Sequence, residues 1–147
     1  MKRLSILMVC FATLLFTACG SMSSVASSNT VANASGQACG AAVQGLYKSY
    51  KATGRVDLTN TNNLNNALAV ATAYTNLKQN KDNSAYRKSF TSGLIASSAG
   101  LITTANATQF VDTLLASAGL QNVTAQNITQ TASTVAAIVT LLNAIRQ

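Results

Sequence analysis

Side chains that could carry out acid–base or metal chemistry are few in this 147-residue chain and stand far apart. There is no His and no Glu, and the only carboxylate side chains are those of Asp57, Asp82 and Asp112. The usual general base near neutral pH is therefore missing, and paired carboxylates for hydrolysis are hard to assemble. Transition-metal sites draw on the same scarce residue types. The composition predicts a protein that is not an enzyme and that holds no metal or cofactor.

Two residues, Ser49 and Cys39, are nevertheless candidate nucleophiles because of their neighbours in the sequence. Ser49 is next to Lys48 and two residues before Lys51, so a serine–lysine dyad is conceivable, although such neighbours arise by chance in a serine-rich chain. Cys39 shares one helical face with apolar residues, which favours a buried and inert thiol over a reactive one. The residues on that face are Val43, Leu46 and Tyr50.

The first 18 residues have the layout of a secretory signal. Lys2 and Arg3 precede the apolar run from Leu4 to Phe16, and small residues follow it. This run is too short to cross a bilayer, which takes about 20 residues. Residues 1–18 are therefore predicted to be a signal peptide and are left out of the fold prediction.

The end of this segment, Phe16-Thr17-Ala18-Cys19, resembles the lipobox of bacterial lipoproteins, with Phe16 where Leu is usual. The resemblance implies that Cys19 receives diacylglycerol on its thiol, that the bond before it is cleaved, and that the new amino group is acylated, for example with palmitate. Two or three acyl chains give stable membrane anchoring. The alternative is a secreted protein cut after Ala18. For the remainder of the chain the resemblance extends only to small lipoproteins of unknown function.

Residues 19–37 are predicted to be the lipidated cysteine and a flexible linker. The segment is rich in Ser, Ala and Asn and carries no charge. Gly20 and Ser21 follow the anchor, where an Asp would be the familiar signal for retention in the inner membrane. We therefore expect an outer-membrane location with the domain facing the periplasm.

Residues 38–147 are predicted to form one all-α domain, a small antiparallel bundle of four to five helices. Pro is absent and apolar residues recur at helical spacing. The expected helices span Ala38 to Thr53, Leu64 to Leu77, Tyr86 to about Gly100, Asn106 to Gly119, and a last segment through Ile128 to Ile145. Arg55–Leu58 alternates in polarity and is a candidate extended piece.

Side chains that can cap helices stand before several of these segments. Residues 59–62 are expected to cap the second helix, and residues 80–84 to form a turn before the third. Asn106 and Gln109 resemble a capping box for the fourth helix, and Thr124 is the candidate cap of the last.

Positive charge is concentrated between Lys48 and Lys88, in a chain of net charge +7. Lys78, Lys81, Arg87 and Lys88 form a candidate site for an anionic partner such as lipid headgroups or an acidic glycan. An envelope protein is a further possible partner, and nucleic acid is not expected. The competing interpretation is a solvated helix face without a ligand.

Two features of the C-terminal half complete the predictions. Thr131 to Ile145 has no charge, so it is either a buried core helix or a segment that inserts into the bilayer. A membrane-active protein is therefore the alternative to a binding or structural module. Thr113, between Asp112 and Leu114, matches a short bacterial O-glycosylation motif.

Overall fold

The computed structural model describes residues 29–127 and 131–146, and in these ranges the chain is all-helical, without strands. This confirms the predicted all-α bundle. The predicted signal peptide and Cys19 lie outside the described residues. The helices are α1 Asn29–Thr53, α2 Thr61–Gln79, α3 Ser84–Ser97, α4 Ala107–Ala116 and α5 Thr131–Ala144, with a short 3-10 helix at Ala118–Leu120.

The first helix starts earlier than the sequence suggested. Residues 29–37 were predicted to belong to the flexible linker, but they form the first turns of α1. Ala32 and Gly36 are buried there against the rest of the bundle. Because tertiary packing rather than propensity supplies most helix stability, a Ser/Ala/Asn/Gly composition does not prevent a helix that has a packed face. The linker prediction is wrong from Asn29 onwards.

The direction of the first three helices follows from the contacts between them. Asn63 Nδ2 donates to Ser49 Oγ (2.9 Å), and Asn76 Nδ2 donates to Ser35 Oγ (3.4 Å), so α1 and α2 are antiparallel. Asn33 Nδ2 near the start of α1 donates to the carbonyl of Ser89 near the start of α3 (3.4 Å), and Ser97 Oγ at the end of α3 donates to the carbonyl of Gln37, farther along α1 (2.7 Å). Because later positions of α3 contact later positions of α1, these two helices run the same way.

Small residues allow α1 and α3 to approach backbone to backbone. Gly36 and Gly40 are four residues apart on α1, and Gly93 lies opposite them on α3. A Cβ atom at Gly36 would overlap the carbonyl of Phe90, and one at Gly93 would overlap the carbonyl of Asn33. There is thus no room for a side chain at Gly36 or at Gly93.

The core lies between these helices and the C-terminal half. The largest fully buried side chains come from all five α-helices, the 3-10 helix and one loop, and they are Tyr86, Phe90, Phe110, Leu46, Leu77, Leu94, Ile102, Leu114, Leu120, Ile138, Leu141 and Leu142. Three of the twelve are on α5, so the charge-free segment contributes its apolar residues to the core. In the part of the chain that the structure describes, no helix combines the length and the hydropathy needed to cross a membrane.

The capping predictions had mixed outcomes. Asn60 caps α2, its Oδ1 accepting from the amides of Asn62 (3.0 Å) and Asn63 (3.2 Å), which confirms the predicted region. The capping box is wrong because Asn106 Oδ1 instead accepts from the amide of Thr103 (2.7 Å), before α4. Thr124 is no helix cap, since the residues after it form a turn.

Helix ends and the candidate extended piece also differ from the predictions. α3 ends at Ser97, three residues before the predicted end at Gly100. The chain leaves the helical conformation after Ser97, and Ala99 and Gly100 have left-handed backbone angles (φ 51° and 81°). α4 ends at Ala116, and Gly119 lies in the 3-10 helix. Residues 55–58 form a loop rather than a strand, which still buries Val56.

Candidate functional site

Four basic residues come together at one end of the bundle, around the connection from α2 to α3. We call Lys78, Lys81, Arg87 and Lys88 the basic turn. Lys78 is in the last turn of α2, Lys81 is in the connection, and Arg87 and Lys88 are in the first turns of α3. The sequence predicted these four as a group, and the structure places them at one end.

Hydrogen bonds made by Asn80 and Asn83 fix the backbone of the connection between α2 and α3. Asn83 Oδ1 accepts from the amide of Tyr86 (3.0 Å) and caps α3. The Asn83 amide donates to the carbonyl of Asn80 (3.0 Å), and Asn80 Nδ2 donates to the carbonyl of Asn76 (2.9 Å). The lysines therefore extend from a backbone with a defined hydrogen-bonding pattern.

Neighbouring groups engage two of the four cations. Arg87 Nη2 pairs with Asp112 Oδ1 of α4 at 3.0 Å, and both side chains are substantially exposed, so the pair contributes little stability. Lys78 Nζ donates to the hydroxyl of Tyr74 (3.1 Å) and lies 5.4 Å from the centre of its ring. Lys81 and Lys88 are exposed.

The net charge of this end remains positive after its acidic residues are counted. Four cations less Asp82 and Asp112 give 4 − 2 = +2. Arg87 and Asp112 offset each other as an ion pair, so the net positive charge of this end comes from the three lysines, opposed by Asp82. The arrangement suits a diffuse anionic surface more than a single enclosed anion.

The start of α1 lies beside the basic turn. Lys88 lines a shallow depression of about 640 Å³ together with Asn29, Thr30 and Asn33 of α1 and Ser89 of α3. Asn33 Nδ2 also donates to the carbonyl of Ser89 (3.4 Å). The first described residues of the chain and the basic turn therefore share one end of the bundle.

The remaining cations of the predicted basic region lie at the opposite end. Lys48, Lys51 and Arg55 follow the C-terminal part of α1 and the loop after it, and all three are exposed. Lys51 Nζ lies 5.8 Å from the centre of the Tyr47 ring. At about 1.5 Å per residue, Lys51 is roughly 33 Å along α1 from Asn29. What the sequence presents as one basic region is thus two separate groups.

A cleft of about 650 Å³ is the feature that sequence reasoning missed. It lies between the α1–α2 loop, α2 and the segment leading into α5, and its walls include Val56, Leu64 and Val135. Asp57 is its one acidic lining residue, and its Oδ1 accepts from the Thr59 amide (2.9 Å) and hydroxyl (2.7 Å). These hydrogen bonds lower the pKa of Asp57 and commit the carboxylate to the loop.

The hydroxyl of Ser49 takes part in a hydrogen-bond network that links α1 to α2. Its Oγ accepts from Nδ2 of the buried Asn63, which also donates to the carbonyl of Asp57 (2.9 Å). These bonds join α1, the following loop and the first turn of α2. Lys48 and Lys51 are exposed, so the geometry gives no support to a serine–lysine dyad.

Cys39 is completely buried in the core, as its helical face predicted. Burial raises the pKa of its thiol to about 12. With such a pKa, roughly one thiol in ten thousand is ionised at pH 8, and the thiolate is the reactive form. The surroundings of Cys39 are those of an inert thiol.

We therefore expect Cys39 to resist alkylation in the folded protein. Iodoacetamide at pH 8 should leave the Cys39 peptide unmodified over an hour, whereas the same treatment in 8 M urea should modify it fully. Peptide mass spectrometry measures both. Complete modification of the folded protein within minutes would contradict this expectation and show that Cys39 is a reactive thiol.

The other predicted site residues fall as follows. Thr113 lies within α4, where its Oγ1 donates to the carbonyl of Gln109 (2.8 Å). Cys19, the predicted lipidation residue, is outside the described ranges. Between residues 29 and 146, the described positions contain no group of three or more His, Cys, Asp or Glu that could hold a metal ion.

Comparison with protein-family models, with curated proteins and with solved structures finds no match to this chain.

Proposed function

We propose that this protein is a lipid-anchored lipoprotein of the bacterial cell envelope, held at the outer membrane and facing the periplasm. The observation that carries the proposal is the tetrapeptide Phe16-Thr17-Ala18-Cys19 after a basic and apolar N-terminal segment. Acyl chains on Cys19 supply the membrane affinity. The anchored part is the helical bundle that begins at Asn29.

The bundle acts as a non-catalytic binding or structural module. The contacts of the candidate nucleophiles favour this role, because Cys39 is enclosed in the core and Ser49 joins α1 to α2. The basic turn is the surface best suited to a partner, and its charge fits anionic lipid, an acidic glycan or an acidic face of an envelope protein.

The alternative is a membrane-active protein whose apolar C-terminal helices insert into or remodel the bilayer. It rests on the charge-free segment from Thr131 to Ile145. The burial of Ile138, Leu141 and Leu142 in the core favours the anchored module, since insertion would first have to remove these side chains from the bundle. Leakage of dye from vesicles after addition of the protein would favour the alternative.

Mass spectrometry of protein purified from bacterial membranes tests the proposal. We expect the N-terminal peptide to begin at Cys19 and to carry the mass of a diacylglyceryl group, with a further acyl group on the amine. The reason is that the lipobox resemblance implies both modification and cleavage at this residue. A peptide that begins with unmodified Cys19, or one that retains residues 1–18, would contradict the proposed anchor.

A further inference from the structure

We infer that the basic turn is a membrane-contacting surface, which holds the anchored bundle with this end against the anionic phospholipid headgroups of its own membrane. The inference rests on the proposed anchor at Cys19 and adds a specific partner to it. Its basis is that the start of α1 and the basic turn share one end of the bundle.

The length of chain between the anchor and the bundle limits how the bundle can be placed. Nine residues, 20–28, separate Cys19 from Asn29. Even fully extended, ten residue steps reach about 35 Å. The start of α1 is therefore held within about 35 Å of the headgroups, and the basic turn can reach them because Lys88 lines the same depression as Asn29. This reach permits contact but does not by itself orient the bundle.

Electrostatic attraction then favours the orientation in which the basic turn contacts the membrane over orientations in which the bundle lies on its side or points away. An anionic surface attracts each nearby lysine by roughly fivefold in binding constant, so Lys78, Lys81 and Lys88 together favour contact by about a hundredfold. Asp82 opposes them, and Asp112 is paired with Arg87. Screening limits this attraction to about 8 Å from the surface at physiological salt.

The cations at the opposite end do not compete in this orientation. Lys48, Lys51 and Arg55 are roughly 30 Å farther along α1, well beyond the screening length. They provide a matched control, because replacing three cations at either end changes the net charge by the same amount. A response that depends only on net charge would be the same for both sets.

The test measures which end of the lipidated protein, beginning at Cys19, approaches the bilayer. A fluorophore is attached through Gln79→Cys, beside the basic turn, or through Ala52→Cys at the opposite end; both positions are exposed, and the native Cys39 is buried. The protein is reconstituted into vesicles of phosphatidylcholine with 30% phosphatidylglycerol that carry a headgroup quencher. We expect quenching at residue 79 to exceed quenching at residue 52 severalfold.

Three changes should remove most of this difference, and a fourth should leave it intact. Pure phosphatidylcholine vesicles, or 0.5 M NaCl, should bring the two positions towards equal quenching. The variant Lys78→Gln, Lys81→Gln, Lys88→Gln should do the same on anionic vesicles. The control Lys48→Gln, Lys51→Gln, Arg55→Gln should keep the difference, and circular dichroism should show that both variants remain helical.

The outcomes separate this inference from the proposed anchor. Equal quenching on anionic vesicles, or equal effects of the two triple variants, overturns the inference if the protein still floats with the vesicles. Strong quenching at both positions on neutral lipid overturns it in favour of a bundle inserted by its apolar residues. Failure to float on either lipid composition overturns the anchor and the inference together.

Discussion

Replacing Gly36 with alanine should destabilise the bundle by about 2 kcal/mol, although alanine is the better helix former. The helix propensity of alanine favours the variant by about 1 kcal/mol. Against this, the new Cβ would overlap the main-chain carbonyl of Phe90, which cannot rotate away as a side chain does. Overpacking of this kind costs about 3 kcal/mol, because α1 and α3 must move apart. Urea unfolding followed by circular dichroism measures the difference.

Gly45→Ala is the matched control on the same helix. A Cβ there would meet the side-chain amide of Asn66, which is partly exposed and can change rotamer. The helix propensity of alanine should then leave this variant equally stable or slightly more stable than the native chain. If Gly36→Ala were as stable as Gly45→Ala, the close approach of α1 and α3 would not be what requires glycine at position 36.

The helices were predictable where apolar spacing and a local cap coincide, and less so where packing decides. Asn60 and the apolar face of α2 placed that helix to within a few residues. The start of α1 was missed because its buried residues, Ala32 and Gly36, are small. A segment rich in small residues has the composition of a flexible linker, and it shows no apolar face in the sequence. The spacing of four residues between Ala32 and Gly36 is a signal of close helix contact, and it becomes informative once a partner such as Gly93 is known.

The candidate site shows the same limit. The basic residues of the turn could be grouped from the sequence because they lie within one short connection. The Arg87–Asp112 pair joins residues 25 positions apart, and the cleft beside Asp57 combines three separate segments, so no local pattern predicts either. The separation of Lys48, Lys51 and Arg55 from the basic turn follows only from the length and direction of α1. Charge along a sequence does not establish a patch until the fold places it.

Replacing Cys19 with serine should abolish acylation of the protein altogether. In the proposed anchor the diacylglyceryl group is joined to the Cys19 thiol, which serine lacks, and the amino group that takes the later acyl chain is released only by cleavage at that lipidated residue, so neither group should be added. One acyl chain supports only marginal membrane binding and two or three support stable anchoring, at about 0.8 kcal/mol per buried methylene. Radiolabelled palmitate supplied to growing cells measures the modification directly, and incorporation into the Cys19→Ser protein should fall to background.

Cys39→Ala is the matched control, since it also removes one cysteine from the same chain. Cys39 is enclosed in the core, where no modifying enzyme reaches it in the folded protein, so palmitate incorporation should stay at the native level. Protein amounts are equalised by immunoblot before comparison, because the loss of a buried side chain costs some stability. Label that persists in Cys19→Ser, or that disappears in Cys39→Ala at equal protein amount, would place the acyl chains elsewhere and remove the basis for orienting the basic turn towards the membrane.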